Sequence, residues 1–327
     1  MGLTVYGGGG KPEEEKTVTA GTSVIEVLPS SGKVMKKVTV NPTPSQEKTV
    51  DPTGFRQIIL PDSGKLLSKV TINGFDLSLV TWAGGTDEEI VKMVQLADEG
   101  KINLSDYWAV GDVRTVQLSA MSATGVGESH SAQEVDLVLM HAGGYDLNAA
   151  VASGRTKCSF IVGQKDSLAE KGYMNSSPTN SGSWNGSARR NWCNSVYKNA
   201  LPSTLLPIFK QFKTITAQTH NGSTNQTSVD WFALPAAKEV FGGSASSAGS
   251  DTGYSNLKEF NALFQFDYYK TTSNRVKKLG KTGSVSDWWE RSPYYRDSSC
   301  FCEVYNRGGA GYYGAGMPYG LAPFGCI

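Results

Sequence analysis

Hydrophobic and polar positions alternate along residues 11–75. Val-rich segments such as Lys36-Lys-Val-Thr-Val40 predict short strands, and a Pro-x-Ser-Gly group predicts the turn between two of them, at Pro29 to Gly32 and again at Pro61 to Gly64. The pattern repeats. Glu15-Lys-Thr-Val18 recurs as Glu47-Lys-Thr-Val50, and Lys37-Val-Thr-Val-Asn41 as Lys69-Val-Thr-Ile-Asn73, both at an offset of 32 residues without a gap. Each unit is too short to bury a core alone. It is predicted to pair with its neighbour or with the same segment of another chain. Asn41-Pro-Thr-Pro44 is the predicted hinge between units, because the residue before a proline is pushed towards an extended conformation. Such a region reads as a stalk or spacer, and Gly7 to Gly10 before it reads as a flexible linker.

The period then changes. Thr86 to Gly100 predicts a helix: Thr86 and Glu89 make a capping box, the acidic first turn suits the dipole, Gly100 supplies the stop, and Ile90, Met93, Val94 and Ala97 form the apolar stripe. From Tyr107 the texture is mixed. Gly111 to Leu118 and Gln133 to Met140 read as strands, with a further short one at Asp230 to Leu234. Leu201 to Phe212 has helical spacing broken by Pro202 and Pro207, which predicts one kinked or two short helices. Leu257 to Tyr269 reads as an aromatic-rich amphipathic segment. Residues 175–187, 219–228 and 242–256 read as long loops, and a domain rich in ordered loop commonly binds through it.

Composition narrows the function. Lys and Arg number 31 against 30 Asp and Glu, so no overall field argues for nucleic acid or an anionic membrane. No apolar run approaches the roughly 20 residues that span a bilayer, and the first residues lack a secretory pattern. The five cysteines, Cys158, Cys193, Cys300, Cys302 and Cys326, form neither a zinc nor a disulfide framework and are expected to be free thiols of a chain made in a reducing cytoplasm. Gly127-Glu-Ser129-His130-Ser131 lacks the second glycine of a nucleophile elbow. The three histidines have no metal spacing, and neither metal nor cofactor is expected. Trp184, Arg189, Arg190 and Trp192 allow a ligand platform, but a core tryptophan with an arginine bridged to a loop is the preferred reading.

The stretch from Tyr294 to Gly325 is different. It carries six Tyr, two Arg and seven Gly without a helical or strand period. Stiff aromatic area among Gly, Ser and Asn is the composition of a paratope.

Trp184-Asn185, Arg189, Leu201-Pro202, Glu239-Val-Phe241-Gly242, Trp288-Trp289-x-Arg291-Ser-Pro293, Phe301-x-x-Val304, Gly320-Leu-Ala-Pro323-Phe324 and Ile327 occur in an order that resembles a family of uncharacterised domains of prophage and gut-bacterial proteins, the DUF6273 type. These resemble the C-type-lectin-like, formylglycine-generating-enzyme-like fold. The 32-residue repeats are similar to N-terminal modules of phage tail and tail-fibre proteins of Firmicutes. The resemblance implies an α+β chain: residues 1–14 a flexible N-terminus, 15–75 two β-rich repeats, 76–106 a linker with the capped helix, and 107–327 a C-type-lectin-like domain with long loops.

The resemblance also implies a function. The expectation is a tail adhesin of the virion that recognises a bacterial surface receptor, protein or glycan, through Tyr294, Tyr295, Arg296, Asp297, Ser298, Ser299, Tyr305, Arg307, Tyr312 and Tyr313. Trp288, Trp289, Arg291, Pro323 and Phe324 are assigned to the scaffold. The repeats are expected to contact other tail proteins, in a homo-oligomer taken to be a trimer, with no nucleic acid, no membrane insertion and no catalysis. The same fold carries variable proteins of diversity-generating retroelements, in which adenines are mutated. Rewriting both adenines of an AAC or AAT codon never yields Lys, Glu, Gln, Trp or Met, and from Tyr294 to Tyr319 only Glu303 and Met317 fall outside the accessible set. Any evolved binding loop uses the same residues. The alternatives are a structural tail or baseplate component, and a copper-dependent oxidase, whose paired active-site cysteines Cys193, Cys300 and Cys302 do not reproduce.

Overall fold

The computed structural model describes the strands of residues 3–72 by their backbone, and residues 77–327 except 125, 127, 128, 149–154, 221–223 and 244–257. The Pro-x-Ser-Gly turns, the hinge prolines, the Gly7 to Gly10 linker and most of the 242–256 loop lie outside the described residues. The chain divides into two compact units, Met1–Met93 and Val94–Ile327.

In the first unit the sequence repeat becomes a repeat of pairing. The strands are β1 (Leu3–Tyr6), β2 (Glu13–Thr19), β3 (Ile25–Val27), β4 (Val34–Asn41), β5 (Ser45–Val50), β6 (Arg56–Ile59) and β7 (Leu66–Ile72). β2 runs parallel to β4 with Glu15 opposite Lys37, and β5 runs parallel to β7 with Glu47 opposite Lys69. The register shifts sit at equivalent places, between Glu14 and Glu15 and between Gln46 and Glu47. The two copies join antiparallel through β4 and β7, where Val38 faces Val70, Lys37 faces Thr71 and Thr39 faces Lys69. Val38 and Val70 are the same position of the repeat, so a local twofold passes between them. It continues at Thr4 of β1, which lies between the equivalent residues Glu26 and Ile58. Each module pairs two of its own strands, β2 with β4 and β5 with β7, and the two modules join through β4 and β7.

Helix α1 (Asp87–Asp98) starts at the expected box: the Thr86 N–H donates to Glu89 Oε2 at 2.8 Å and the Glu89 N–H to Thr86 Oγ1 at 3.3 Å. Gly100, at φ +67°, takes the left-handed position that ends it.

The second unit is α+β. A five-stranded sheet has the order β13–β19–β10–β9–β8, from β8 (Val113–Leu118), β9 (Gln133–Ala142), β10 (Phe160–Gln164), β13 (Phe232–Ala233) and β19 (Phe324–Cys326). The last strand is inside the sheet, between β10 and β13. The Ile327 N–H donates to the Phe160 carbonyl at 3.0 Å, and the Ile327 carbonyl accepts from Ser159 at 2.6 Å. Around this sheet lie a hairpin of β11 (Phe212–Ala217) and β12 (Asn225–Asp230), a short ribbon of β14 (Lys277–Lys278) and β15 (Val285–Ser286), and a three-stranded sheet of β16 (Trp288–Pro293), β17 (Cys300–Val304) and β18 (Ala310–Gly314). Short helix α2 (Ser183–Gly186) is followed by the extended Ser187, α3 (Ala188–Trp192) runs through a π turn at Cys193–Tyr197 into α4 (Lys198–Ala200), and α5 is Ala237–Phe241.

Several expectations are corrected. Leu201 to Phe212 holds only a 3-10 turn at Leu206–Ile208, and Phe212 opens β11. Leu201 is extended, as the residue before Pro202 must be to avoid its ring. The loop expected over 219–228 includes the start of β12, and that over 175–187 includes α2. Asp230 to Leu234 is not one strand: Asp230 ends β12, and β13 is only Phe232–Ala233. Leu257 to Tyr269 forms 3-10 turns at Lys258–Asn261 and Asp267–Lys270. The stretch without a strand period forms β17, β18 and β19. Its period is hidden because β17 is buried on both faces, which erases alternation.

Candidate functional site

Two buried polar hubs hold the frame on which the tyrosine-rich segment is mounted. In the first, Asp230 is fully buried at the end of β12. Its Oδ2 accepts from Trp184 Nε1 (3.0 Å), Thr214 Oγ1 (2.6 Å) and Ser228 Oγ (2.9 Å), and its Oδ1 from Arg190 Nε (2.6 Å) and Asn194 Nδ2 (3.0 Å). In the second, Arg291 sends bonds of 2.6 and 2.5 Å to the two oxygens of Glu239, and others to the Leu234 carbonyl and Tyr145 hydroxyl. Glu239 Oε2 also accepts the Ala236 N–H at the start of α5. Burial opposes the Arg291 charge, but Glu239 and Glu259 outweigh it and hold its pKa above the ordinary value. Glu259, bonded to Ser292 and to the Ala217 N–H, is pushed up by burial.

Trp184, Arg189 and Trp192 belong to the core, as preferred, with one change. Arg190 carries the ion pair to Asp230, whereas Arg189 donates to the carbonyls of Tyr173 and Val126 and lies over the Trp192 ring. Burial lowers Arg189 to about 10. Trp288, Trp289, Arg291, Pro323 and Phe324 are all buried.

The ten expected contact residues fall into three groups. The loop from Tyr294 to Ser299 is pinned from the 175–187 segment: Asn180 Nδ2 donates to the carbonyls of Asp297 (2.8 Å) and Cys300 (2.7 Å), and the Asn180 backbone N–H donates to the Ser298 carbonyl (2.7 Å). Asp297 Oδ1 accepts from the Ser299 N–H and hydroxyl, and these bonds hold its carboxyl below the usual range. Arg296, Asp297 and Ser298 are exposed, while Tyr295 and Ser299 are half-buried. At the other end of the hairpin, Tyr305 and Arg307 are exposed on a turn closed by the Tyr305 N–H to Gly309 carbonyl bond, 2.7 Å, with Gly308 at φ +79°.

Tyr312 and Tyr313, on the edge strand β18, form the third group. Adjacent strand residues point to opposite faces, and these two do. Tyr312 stacks on Tyr294, centroids 3.6 Å apart and planes 4° apart. Tyr313 meets Tyr319 edge-on at 5.6 Å, and Tyr319 packs on Trp289 at 4.9 Å. Tyr294 is the one expected contact residue that is covered, only 4% exposed; its ring supports Tyr312 from beneath. Tyr305, Tyr312, Tyr313 and Met317 are 37–47% exposed, and they account for most of the exposed large apolar side chains among the described residues.

Residues that sequence reasoning did not single out as site residues complete the second face. Glu303 of β17 is buried opposite Trp289 and Gly311. Burial, then the charge of Asp287, pushes it up to about 8. The Tyr305 ring occupies the space that a side chain at Gly311 would need, so that a Cβ there would lie 2.5 Å from its Cζ. A mark of this was legible: Glu303 is one of two residues in the run outside the adenine-accessible set. A cavity of about 490 Å³ lies elsewhere in the unit, lined by Asp136, Lys165, Asp166, Ser273, Lys278 and Lys281 among others. Lys281 bonds Asp136 at 2.8 Å and thereby neutralises one wall. Nothing in the sequence marks these as other than surface residues.

All five cysteines are free and buried, and burial pushes the Cys193 and Cys300 thiols up. Among the described residues no group of three or more His, Cys, Asp or Glu could hold a metal ion, and no helix is long and apolar enough to cross a membrane. No curated protein and no solved structure matches the chain. Residues 160–324, from the opening of β10 to the first residue of β19, match a domain of unknown function, DUF6273, and the chain belongs to that family.

Proposed function

We propose that this chain is a phage or prophage tail adhesin that binds a bacterial surface ligand through the β17–β18 hairpin and the 294–299 loop. One observation carries the reading: exposed Tyr305, Tyr312, Tyr313 and Met317 gather on one edge of a sheet whose other strands are wholly buried. Large stiff rings on a rigid mount bind with little loss of rotamer freedom. Exposed Arg296, Asp297 and Arg307 at the two ends supply charged hydrogen bonds that fix orientation. The repeats space the unit from other tail proteins, and trimerisation raises avidity through effective concentration. The C-terminal unit is read as C-type-lectin-like, and the run from Tyr294 to Tyr319 as a segment open to diversification on that mount. The side chains of Arg291, Glu239 and Trp288 bond to and pack on residues outside that run, which suits its replacement.

The test is the triple variant Tyr305→Ala, Tyr312→Ala, Tyr313→Ala of the full chain, measured for binding to host cells. Loss of binding with an unchanged melting curve is expected, and retained binding overturns the reading. Diversification is tested in the DNA: a near-copy of this segment beside a reverse transcriptase gene, with adenines at the variable codons, supports it, and a locus without one sinks it.

A further inference from the structure

One face of the hairpin sheet has a composition of its own. Trp289, Glu303 and Gly311 are cross-strand neighbours on it, and Tyr313 follows Gly311 on the same side. Tyr305 folds back over Gly311, and Tyr319 bridges Trp289 and Tyr313. Asp287 reaches the same turn, its Oδ1 accepting the Asn306 N–H at 2.7 Å. Four aromatic rings and two carboxylates therefore share one face, with Tyr305 and Tyr313 open to solvent and Glu303 covered.

We propose that this face is a subsite for a quaternary ammonium head group, with Tyr305 and Tyr313 presenting their π surfaces and Glu303 and Asp287 supplying negative charge beneath. The inference rests on reading the hairpin as the ligand surface. The choice of cation follows from what each group can offer. The faces of aromatic rings attract cations, and a carboxylate under rings acts through its field. Glu303 is covered and cannot reach a ligand to accept a hydrogen bond, and one oxygen of Asp287 is already engaged. A primary ammonium is a compact, strongly hydrated charge that needs such acceptors, whereas a quaternary ammonium has no N–H to satisfy. Arg307 is exposed at the turn, and the Arg275 guanidinium is taken up by the Tyr269 carbonyl and the Phe241 ring.

The test uses the full chain titrated with choline and, separately, with its neutral isostere 3,3-dimethylbutan-1-ol, followed by tryptophan fluorescence and by tyrosine ring NMR shifts. The expected result at pH 9, where Glu303 is ionised, is a saturable response to choline alone, weakened about fivefold to tenfold in Glu303→Gln and in Tyr305→Ala. Equal responses to the two compounds, or none to choline, overturn the proposal. Tyr305 is exposed, so its variant reports on the site even where Glu303→Gln fails to fold. Host-cell binding separates this from the broader reading. Loss of cell binding in Tyr305→Ala without any choline response leaves the adhesin and removes the subsite, and a choline response with unchanged cell binding does the reverse.

Discussion

Arg291 and Glu239 meet through two bonds of 2.6 and 2.5 Å with neither side chain exposed to solvent. A buried pair of this kind adds little over a well-packed apolar pair, but removing one partner strands the other charge. Arg291→Ala is therefore expected to destabilise the C-terminal unit by about 3–5 kcal/mol. Glu239→Gln strands the buried Arg291 charge in turn, with an amide NH2 set against one guanidinium donor, and is expected to cost a similar amount. Urea unfolding followed by tryptophan fluorescence checks both, and an Arg291→Ala midpoint equal to wild type would show that the pair is not structural.

Lys277 is buried beside Tyr269 and Trp288, its Nζ donating to the carbonyls of Gln164 (2.7 Å) and Lys165 (2.8 Å). Burial lowers it to about 7, against about 10.4 for the unfolded chain. Between these values the unfolded state holds a proton that the folded state lacks, so stability rises with pH across that window, by up to about 1.4 kcal/mol per unit. Below the folded value the cost is constant. Lys277→Met should flatten the rise between pH 7 and 10 while leaving the curve below pH 7 parallel to wild type. Denaturation midpoints at several pH values measure it, and an unchanged slope refutes it.

The local twofold of the first unit makes its own demand. Val38 and Val70 occupy its centre, on the two inner strands of the order β2–β4–β7–β5. Proline in an inner strand removes a ladder donor. Val38→Pro and Val70→Pro should each abolish protection of the first unit in hydrogen exchange, and to the same extent, while the second unit keeps its own. Unequal losses would mean that the two copies are not equivalent in pairing.

What could be read from the sequence and what could not differ in kind. The repeat was legible because identity at a fixed offset carries straight into register, and α1 because Thr86, Glu89 and Gly100 act locally. The scaffold role of Trp288 and Arg291 was legible through family likeness. The hubs were not: Asp230 receives bonds from residues 2 to 46 positions away, and a single Asp shows nothing of that. β17 was hidden by burial on both faces and β18 by its glycines. Composition places Tyr294 on the surface, yet it cannot tell a ring that faces a ligand from the ring stacked under it.

Choline binding, if Glu303 lies beneath it, is coupled to a proton. The titratable and charged groups around the face are Glu303, Asp287, Tyr305, Tyr313, Tyr319, Arg307 and Arg275. Burial raises Tyr305 and Tyr319, which keeps both neutral near pH 8, so Glu303, held at about 8, is the group that titrates. A bound cation favours its ionised form and drives the proton off. Affinity should accordingly rise from pH 7 to pH 9 and level off above, and Glu303→Gln should bind equally at both. Isothermal titration in two buffers of different ionisation enthalpy reads the released proton directly, and no release at pH 7 rules the coupling out.

Gly311→Ala tests the ring arrangement without touching any charged group. A methyl there would sit 2.5 Å from Tyr305 Cζ and under 3 Å from both Cε atoms, closer than any real contact, so the ring must leave. Tyr305 is 44% exposed and on a turn, so it can swing into solvent with little repacking, and the strand itself gains from losing a glycine. The stability change should stay within about 1 kcal/mol. The choline response should nonetheless fall as far as in Tyr305→Ala, because the ring face has moved and not merely been loosened. A variant that unfolds would instead show that Tyr305 is locked in place. One that keeps full choline affinity would show that its ring takes no part in the site.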